Sequence, residues 1–257
     1  PDPILGDITL GYYDDDLPRT ISQGDTTTTY QLDVADRRSI SDVSTTGGGQ
    51  VTTRRHYTDD SDNPAWIDVM TGGVTTTTRF VESIGGDLGL QITVGGATKL
   101  SLANMHGDPV TTIDIGADAA TAAAGIDAWA DYLEYGTPRD RQAAQTVGGP
   151  GGYGWLGAKQ RSTPAEAAGL TLMGVRLYNP VTGLFTSPDP IPGGNDTTYA
   201  YPADPINKYD LTGKAFWIPL AVACVRYCRY AAPAVKWGAK KLAKKAGKGV
   251  GTRKTKV

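Results

Sequence analysis

Threonine-rich runs, each followed by an aromatic residue and an Asx-rich stretch, recur along the first half of the chain. A first copy is suggested by residues 11–16 (GYYDDD), which lack the threonines, and the others are residues 26–37 (TTTTYQLDVADR), residues 52–63 (TTRRHYTDDSDN) and a weaker copy from Thr75 onward. The second and third copies align at an offset of 26 residues, which places Asp33 on Asp59. Branched residues favour strands, and Asp or Asn side chains bond backbone amides at corners, so each copy predicts a β-hairpin.

These hairpins cannot bury a face alone and must stack in series, which predicts a long β-ribbon or spiral. The composition supports this interpretation, because 33 Gly, 16 Pro and 13 Tyr against 3 Phe suit short strands joined by tight corners. The sequence therefore predicts a mainly β fold in which helix is a minority.

The second half of the chain contains another strand pattern. Residues 172–178 alternate as a strand, residues 179–183 (NPVTG) form a turn, and residues 184–187 start a return strand. Tyr199 and Tyr201 are two residues apart and point the same way in an extended chain. The glycine-rich stretch of residues 146–154 (TVGGPGGYG) predicts a flexible turn or linker.

Charge divides the chain sharply at Lys214. Residues 214–257 carry 12 of the 25 Lys and Arg residues and none of the 27 Asp and Glu residues, so this tail is +12 while residues 1–213 are −14. Such asymmetry predicts an anionic partner for the tail. The tail also lacks His, which leaves it without the side chains that most hydrolytic chemistry needs.

The tail has the pattern of a basic amphipathic helix, because small and apolar residues between Val235 and Ala246 follow helical spacing. We predict that its basic residues bind an anionic membrane or other polyanion: Arg226, Arg229, Lys236, Lys240, Lys241, Lys244, Lys245 and Lys248. A nucleic-acid-binding arm has the same residues. A third alternative is a linker that leads into a further domain, as Gly247, Gly249 and Gly251 suggest.

Residues 153–213 resemble the core module that closes the shell of Rhs and YD-repeat proteins. The resemblance rests on residues that occur in the family's order: Gly157, Gly169, Leu170, Gly174, Arg176, Tyr178, Pro180, Gly183, Phe185, Asp189, Pro190, Tyr199, Tyr201, Pro205, Asn207, Asp210 and Gly213. It implies degenerate YD repeats at 1–145, the core module at 146–213 and a variable basic tail at 214–257. Residues 117–124 are alanine-rich and have helical propensity, whereas the family pattern implies a hairpin with an alanine-rich turn there.

The resemblance also implies a chemistry for Asp189 and Asp210, which stand at the two acidic positions of the closing motif. Several relatives use acidic residues there to cut their own chain just after the motif. One carboxyl group holds a proton while the other activates water. The alternative is that both aspartates only cap turns. Three positions differ from the family pattern: Pro188 stands where some self-cleaving relatives carry Arg, and Leu211 and Lys214 stand where many have Pro and Leu.

The function implied is that of the C-terminal part of a secreted or surface-delivered Rhs-type polymorphic toxin, whose β shell contains a basic effector segment. The expected partners are an upstream shell and delivery module and an immunity protein. The chain begins at Pro1 within a strand pattern, so we expect a fragment. The alternative is a non-catalytic YD-repeat surface protein for adhesion, anchored by its tail. No cofactor is expected, and Cys224 with Cys228 cannot complete a zinc site.

Overall fold

A computed structural model of the chain describes residues 6–116, 126, 128–191 and 197–214. Strands and isolated β-bridges account for 41% of the described residues, which confirms the prediction of a mainly β fold. The described residues form a ten-stranded antiparallel sheet and a small three-stranded sheet. Among these residues, no helix has the length and apolar character needed to cross a membrane.

The large sheet is a continuous series of hairpins, because each strand pairs with the next strand in the chain. Its strands are β1 (Thr9–Tyr12), β2 (Pro18–Gln23), β3 (Thr26–Leu32), β4 (Arg38–Thr45), β5 (Gln50–His56), β6 (Trp66–Thr71), β7 (Val74–Glu82), β8 (Leu88–Thr93), β9 (Thr98–Ala103) and β10 (Pro109–Asp114). Strands β1 and β10 are the edges, so the sheet is open rather than closed.

Five turns between residues 13 and 137 share one backbone pattern. In each, the first residue donates its N–H to the carbonyl four residues later and accepts from the amide three residues later; these turns begin at Tyr13, Asp33, Ser83, Asn104 and Leu133. The fourth residue has positive φ in all five, as Asp16 and Asp36 illustrate. A sixth turn, which begins at Thr93, has the same two hydrogen bonds but a positive φ at its third residue, Gly95. The geometry of the five turns is a type I turn followed by a bulge, which joins antiparallel strands and strengthens their twist.

The threonine-rich copies predicted from the sequence are strands that lead into these corners. Residues 26–37 are strand β3 and its turn, and residues 52–63 lie in β5 and the loop that follows it. The copy from Thr75 is most of β7. Buried and exposed positions alternate in β7, where Thr78 and Phe80 are buried while Arg79 between them is exposed. One face of the sheet is therefore covered.

The cover consists of the described residues that follow β10. It contains one helix, α1 (Arg141–Gly148), three single 3-10 turns (Gly149–Gly151, Gly157–Lys159 and Ala165–Ala167) and the small sheet of β11 (Thr171–Met173), β12 (Arg176–Asn179) and β13 (Leu184–Phe185). Buried side chains from both parts form joint clusters. Ile21 and Tyr30 of the large sheet pack with Leu170 and Leu177, and Phe80 packs edge to face with Tyr153 at a ring separation of 4.9 Å.

The prediction of a flexible turn at residues 146–154 is wrong. This stretch is the end of α1 and a 3-10 turn, and Val147 and Tyr153 within it are buried. The Asp140 side chain caps the helix by accepting from two backbone amides. Gln91 of β8 donates to the carbonyl of Gly148 at 3.4 Å. The glycines therefore serve a close, buried approach to the sheet.

The strand predicted over residues 172–178 is two strands. Gly174 has a φ of +57°, so the chain turns there, and β11 and β12 pair with each other as a hairpin. Tyr199 and Tyr201 do not share a face, because the chain turns at these positions; Tyr199 is 45% exposed and Tyr201 is 4% exposed. Residues 117–124, where helix and hairpin were alternatives, lie outside the described residues.

Candidate functional site

The residue around which the candidate site is built is Arg176, at the start of β12. Its side chain is completely buried, as are those of Leu177 and Tyr178 beside it. A charged group in such a position is stable only when its hydrogen bonds are satisfied and its charge is balanced.

Arg176 brings together the two aspartates that the sequence singled out. Its Nη2 lies 3.2 Å from Asp189 Oδ2 and 2.8 Å from Asp210 Oδ2. The Asp189 side chain is 3% exposed and the Asp210 side chain is fully buried. Because both oxygens contact one nitrogen, their separation cannot exceed the sum of these two distances. The carboxyl groups are therefore close enough to act on one peptide bond.

The remaining donors of Arg176 hold backbone carbonyls. Nη1 donates to the Thr198 carbonyl at 3.1 Å, and Nε donates to the Gly213 carbonyl at 2.5 Å. The guanidinium also lies 3.6 Å from the centroid of the Phe185 ring. Burial lowers the pKa of Arg176, and the charges of Asp189 and Asp210 act in the opposite direction. An arginine begins with a pKa high enough to stay charged after such a shift.

The peptide bond between Gly213 and Lys214 is contacted on both of its polar atoms. Its carbonyl oxygen accepts from Arg176 Nε at 2.5 Å, and its amide nitrogen donates to Asp210 Oδ1 at 3.2 Å. A cation at the carbonyl oxygen can stabilise the negative charge of a tetrahedral intermediate. A carboxyl group at the amide nitrogen can deliver the proton that the departing amine needs.

The backbone before this peptide bond is fixed by the turn between β11 and β12. The Val175 amide donates to the Thr212 carbonyl at 3.1 Å. Gly174 faces the same carbonyl, and a side chain there would overlap the Thr212 backbone in addition to requiring the left-handed φ of +57°. The close approach of the two segments therefore depends on glycine at position 174.

Both aspartates also stabilise turns. Asp189 Oδ1 accepts from the Ile191 amide at 2.8 Å, and Asp210 Oδ1 accepts from the Lys214 amide four residues later. The turn-capping alternative raised from the sequence thus has direct structural support, and the same contacts are compatible with catalysis.

A cavity of about 650 Å³ lies between the large sheet and its cover. Thr212 and Lys214 are among its lining residues, together with Arg38, Arg55 and Tyr153. The residues on either side of Gly213 therefore border this cavity.

Of the residues predicted from the sequence, Asp189 and Asp210 lie together at this site. Arg226, Arg229, Lys236, Lys240, Lys241, Lys244, Lys245 and Lys248 lie outside the described residues. Arg176 was predicted only as part of the motif, with no role of its own. The signal was a lone cation between apolar neighbours in a strand pattern. Arg176 supplies a guanidinium to Asp189 from β12.

His106 is a turn residue that also contacts the cover. Its Nδ1 bonds Asp108 at 2.9 Å and its Nε2 bonds the Pro205 carbonyl at 2.9 Å. Burial acts to lower the pKa of His106, but these two hydrogen bonds outweigh it and the pKa is raised. Across residues 6–116, 126, 128–191 and 197–214, no three His, Cys, Asp or Glu side chains are grouped to hold a metal ion.

Comparisons with known proteins identify the fold. No protein-family model matches the sequence, and a search of curated proteins found no match. Among solved structures, the chain is similar to a crystal structure of TcdB2-TccC3-Cdc42 (TM-score 0.59, 16% identity) and to one of TcdB2-TccC3-TEV (TM-score 0.59, 17% identity). A structure of TcdB2-TccC3 without its hypervariable C-terminal region gives a TM-score of 0.58 at 16% identity. Each match covers 80% of this chain and 10% of the other.

The chain thus spans about a tenth of the length of the chains it matches. At this level of identity the similarity concerns the fold alone. The described residues have an Rhs-like fold.

Proposed function

We propose that this chain is the C-terminal part of a secreted or surface-delivered Rhs-type toxin, which cuts itself between Gly213 and Lys214. The observation that carries the proposal is the contact of Arg176 with Asp189, Asp210 and the Gly213 carbonyl at once. Residues 1–213 then form part of a β shell, and the basic segment 214–257 is the effector it contains.

The proposed cleavage is a hydrolysis with one water molecule. Asp189, as a carboxylate, takes a proton from the water as its oxygen bonds to the Gly213 carbonyl carbon. Arg176 Nε stabilises the resulting oxyanion. Asp210, carrying the proton that the two carboxyl groups share in the reactive state, delivers it to the Lys214 nitrogen as the C–N bond breaks. The immediate products are a carboxylic acid on Gly213 and an amine on Lys214; the acid passes its proton to the amine, and the aspartate pair keeps its one shared proton, now on Asp189.

The comparisons support the Rhs-type, toxin-related part of this proposal at the level of the fold. The matched chains have a similar fold over 80% of this chain, and one of them was solved without a hypervariable C-terminal region. We infer that residues 214–257 correspond to such a variable segment. Its +12 charge and lack of acidic residues suit an anionic membrane or nucleic acid as target. Binding to vesicles with and without anionic lipid, compared with a DNA duplex at rising salt, distinguishes the two targets.

Intact-mass analysis of the 257-residue chain and of its Asp189→Asn and Asp210→Asn variants tests the cleavage. We expect the wild-type chain to lose the mass of the 44-residue segment 214–257. Both variants should remain whole, because Asn keeps the shape of Asp but can neither take nor give the proton. Asp33→Asn is the matched control, since Asp33 caps a turn in the same way, through Oδ1 at 2.9 Å from the Ala35 amide, and should not slow the cut.

A second function is a non-catalytic YD-repeat protein of the cell surface, with a basic tail that binds anionic polymer or membrane. The observation that favours it is that both aspartates already serve as turn caps and as partners of a buried cation. On this alternative the folded wild-type chain shows one uncut mass. The same measurement therefore separates the two functions.

A further inference from the structure

Arg161 is the most densely bonded side chain in the described part of the protein outside the candidate site. It lies just after the 3-10 turn Gly157–Lys159 and is 3% exposed. All five of its N–H groups have acceptors. Nε donates to the Lys159 carbonyl at 3.0 Å, and both terminal nitrogens bond the Asp62 carboxylate, at 2.5 Å and 2.9 Å.

The other two N–H groups of Arg161 connect the large sheet with the end of the cover. Nη2 donates to the Asn63 side-chain oxygen, and Nη1 donates to the Leu211 carbonyl at 2.6 Å. Asp62 and Asn63 belong to the loop between β5 and β6. Leu211 lies two residues before Gly213. One side chain thus fixes the chain just before the proposed cleavage site against a loop of the sheet.

A second arginine of the sheet acts on the same stretch through one intermediate. Arg38, at the start of β4 and 5% exposed, donates to the carbonyls of Gly174 and Val175. The Val175 amide in turn donates to the Thr212 carbonyl. Three consecutive carbonyls, those of Leu211, Thr212 and Gly213, are therefore each held, the first two by contacts that lead back to the sheet.

We propose that Arg161 is a positioning residue, which makes cleavage of the Gly213–Lys214 bond depend on the sheet loop that carries Asp62 and Asn63. This inference rests on the proposed self-cleavage and adds a condition for it, namely that the sheet has folded. The bond takes its reactive position only when the sheet has formed and the cover is docked on it. A chain whose sheet is unformed then keeps its C-terminal segment attached.

The test compares cleavage rates, followed by intact mass over time, in the wild-type chain and in Arg161→Lys and Asp62→Asn. Lysine keeps the charge but has three donors and no planar fork, so it cannot serve Asp62, Asn63 and Leu211 together. A misplacement of about 1 Å at a reacting bond slows a reaction by about 100-fold, which is the effect expected for Arg161→Lys. Asp62→Asn leaves the Leu211 contact in place and should have a smaller effect, about 10-fold.

Arg37→Lys is the matched control. Arg37 bonds the same loop through the carbonyls of Asp59 and Ser61, at 2.7 Å and 3.0 Å, and pairs with Asp33. Arg37→Lys leaves Asp62, Asn63 and their bonds to Arg161 in place, so cleavage should continue at the wild-type rate. Hydrogen exchange in a peptide covering residues 205–214 gives a second measurement, which should rise in Arg161→Lys and stay unchanged in Arg37→Lys.

The outcomes separate this inference from the proposed function. If the wild-type chain stays uncut, both the proposed self-cleavage and the positioning role of Arg161 are overturned. A wild-type chain that is cut, with Arg161→Lys cut equally fast, overturns the positioning role alone. If Arg161→Lys fails to fold by circular dichroism, Asp62→Asn decides, and a wild-type rate in that folded variant also overturns the proposal. Slow cleavage confined to Arg161→Lys and Asp62→Asn supports it.

Discussion

Replacing Arg176 with Met should destabilise the folded protein strongly, whether or not the chain cuts itself. The change keeps an apolar side chain beside Phe185 but removes the cation between Asp189 and Asp210. Both aspartate side chains are nearly or fully buried, so they lose their compensating charge without gaining access to water. The carbonyls of Thr198 and Gly213 also lose their donor.

The expected cost follows from these contacts. Removing one partner of a buried ion pair destabilises a protein by about 3–5 kcal/mol. For a domain of this size, each kcal/mol lowers the melting temperature by about 2–4 °C, so the expected fall is about 6–20 °C. Thermal unfolding followed by circular dichroism and urea titration would measure it, on material whose mass is known to be the same for each variant.

Arg139→Met is the control for this comparison. Arg139 pairs with Asp131 at 3.0 Å, but the two side chains are 59% and 53% exposed. Exposed pairs contribute about 0–1 kcal/mol, so this variant should unfold almost as the wild type does. A double variant Arg176→Met with Asp210→Asn should recover part of the loss, because the buried negative charge is removed with its partner. If Arg176→Met unfolds within about 1 kcal/mol of the wild type, the reasoning about its burial and pairing is refuted.

Two further predictions concern the backbone and pH. Gly174→Ala should lower the free energy of unfolding by at least about 1 kcal/mol more than Gly169→Ala does, as measured by urea titration. Both glycines have positive φ, but only a Cβ at position 174 meets the Thr212 backbone. Equal losses in the two variants would contradict the close approach of Gly174 to Thr212. The raised pKa of His106 means that its contribution to stability is fully present below the unfolded value of 6.5 and is lost as pH rises through the folded value. As pH rises above 6.5, the free energy of unfolding should therefore fall in the wild type and fall less in His106→Gln. Identical pH profiles for the two proteins would show that the bonds of His106 to Asp108 and Pro205 do not cause the pH dependence.

The β fold could be predicted from the sequence because each strand and each turn is favoured by the residues within it. A threonine-rich run favours a strand, and an Asx-rich stretch such as residues 33–37 favours a corner, so the pattern repeats in the chain as it does in space. The hairpins at residues 11–16 and 26–37 could be predicted without knowing which distant residues they contact. Residues 146–154 were misjudged because glycine also allows close burial against a neighbour such as Tyr153, which local pattern does not distinguish from flexibility.

The candidate site could be predicted only in part. The positions of Asp189 and Asp210 in a family motif identified them, but their meeting depends on Arg176, whose acceptors come from three separate segments. The prediction of a single strand over residues 172–178 also missed the turn at Gly174, which brings that residue close to Thr212. The partners of Arg161 lie about 50 and about 100 positions away in the chain. Sequence pattern shows which residues are charged, whereas the acceptors they meet are decided by packing.

The position of the cut tests the central claim most directly. The purified chain is incubated in water enriched in ¹⁸O, and the masses of both fragments are measured together with the N-terminal sequence of the smaller one. The proposed hydrolysis predicts a fragment that begins at Lys214 and a partner that ends at Gly213 with one solvent oxygen in its new carboxylate. A folded chain that remains whole, or one cut elsewhere, would contradict the assignment of Asp189, Asp210 and Arg176 to this bond.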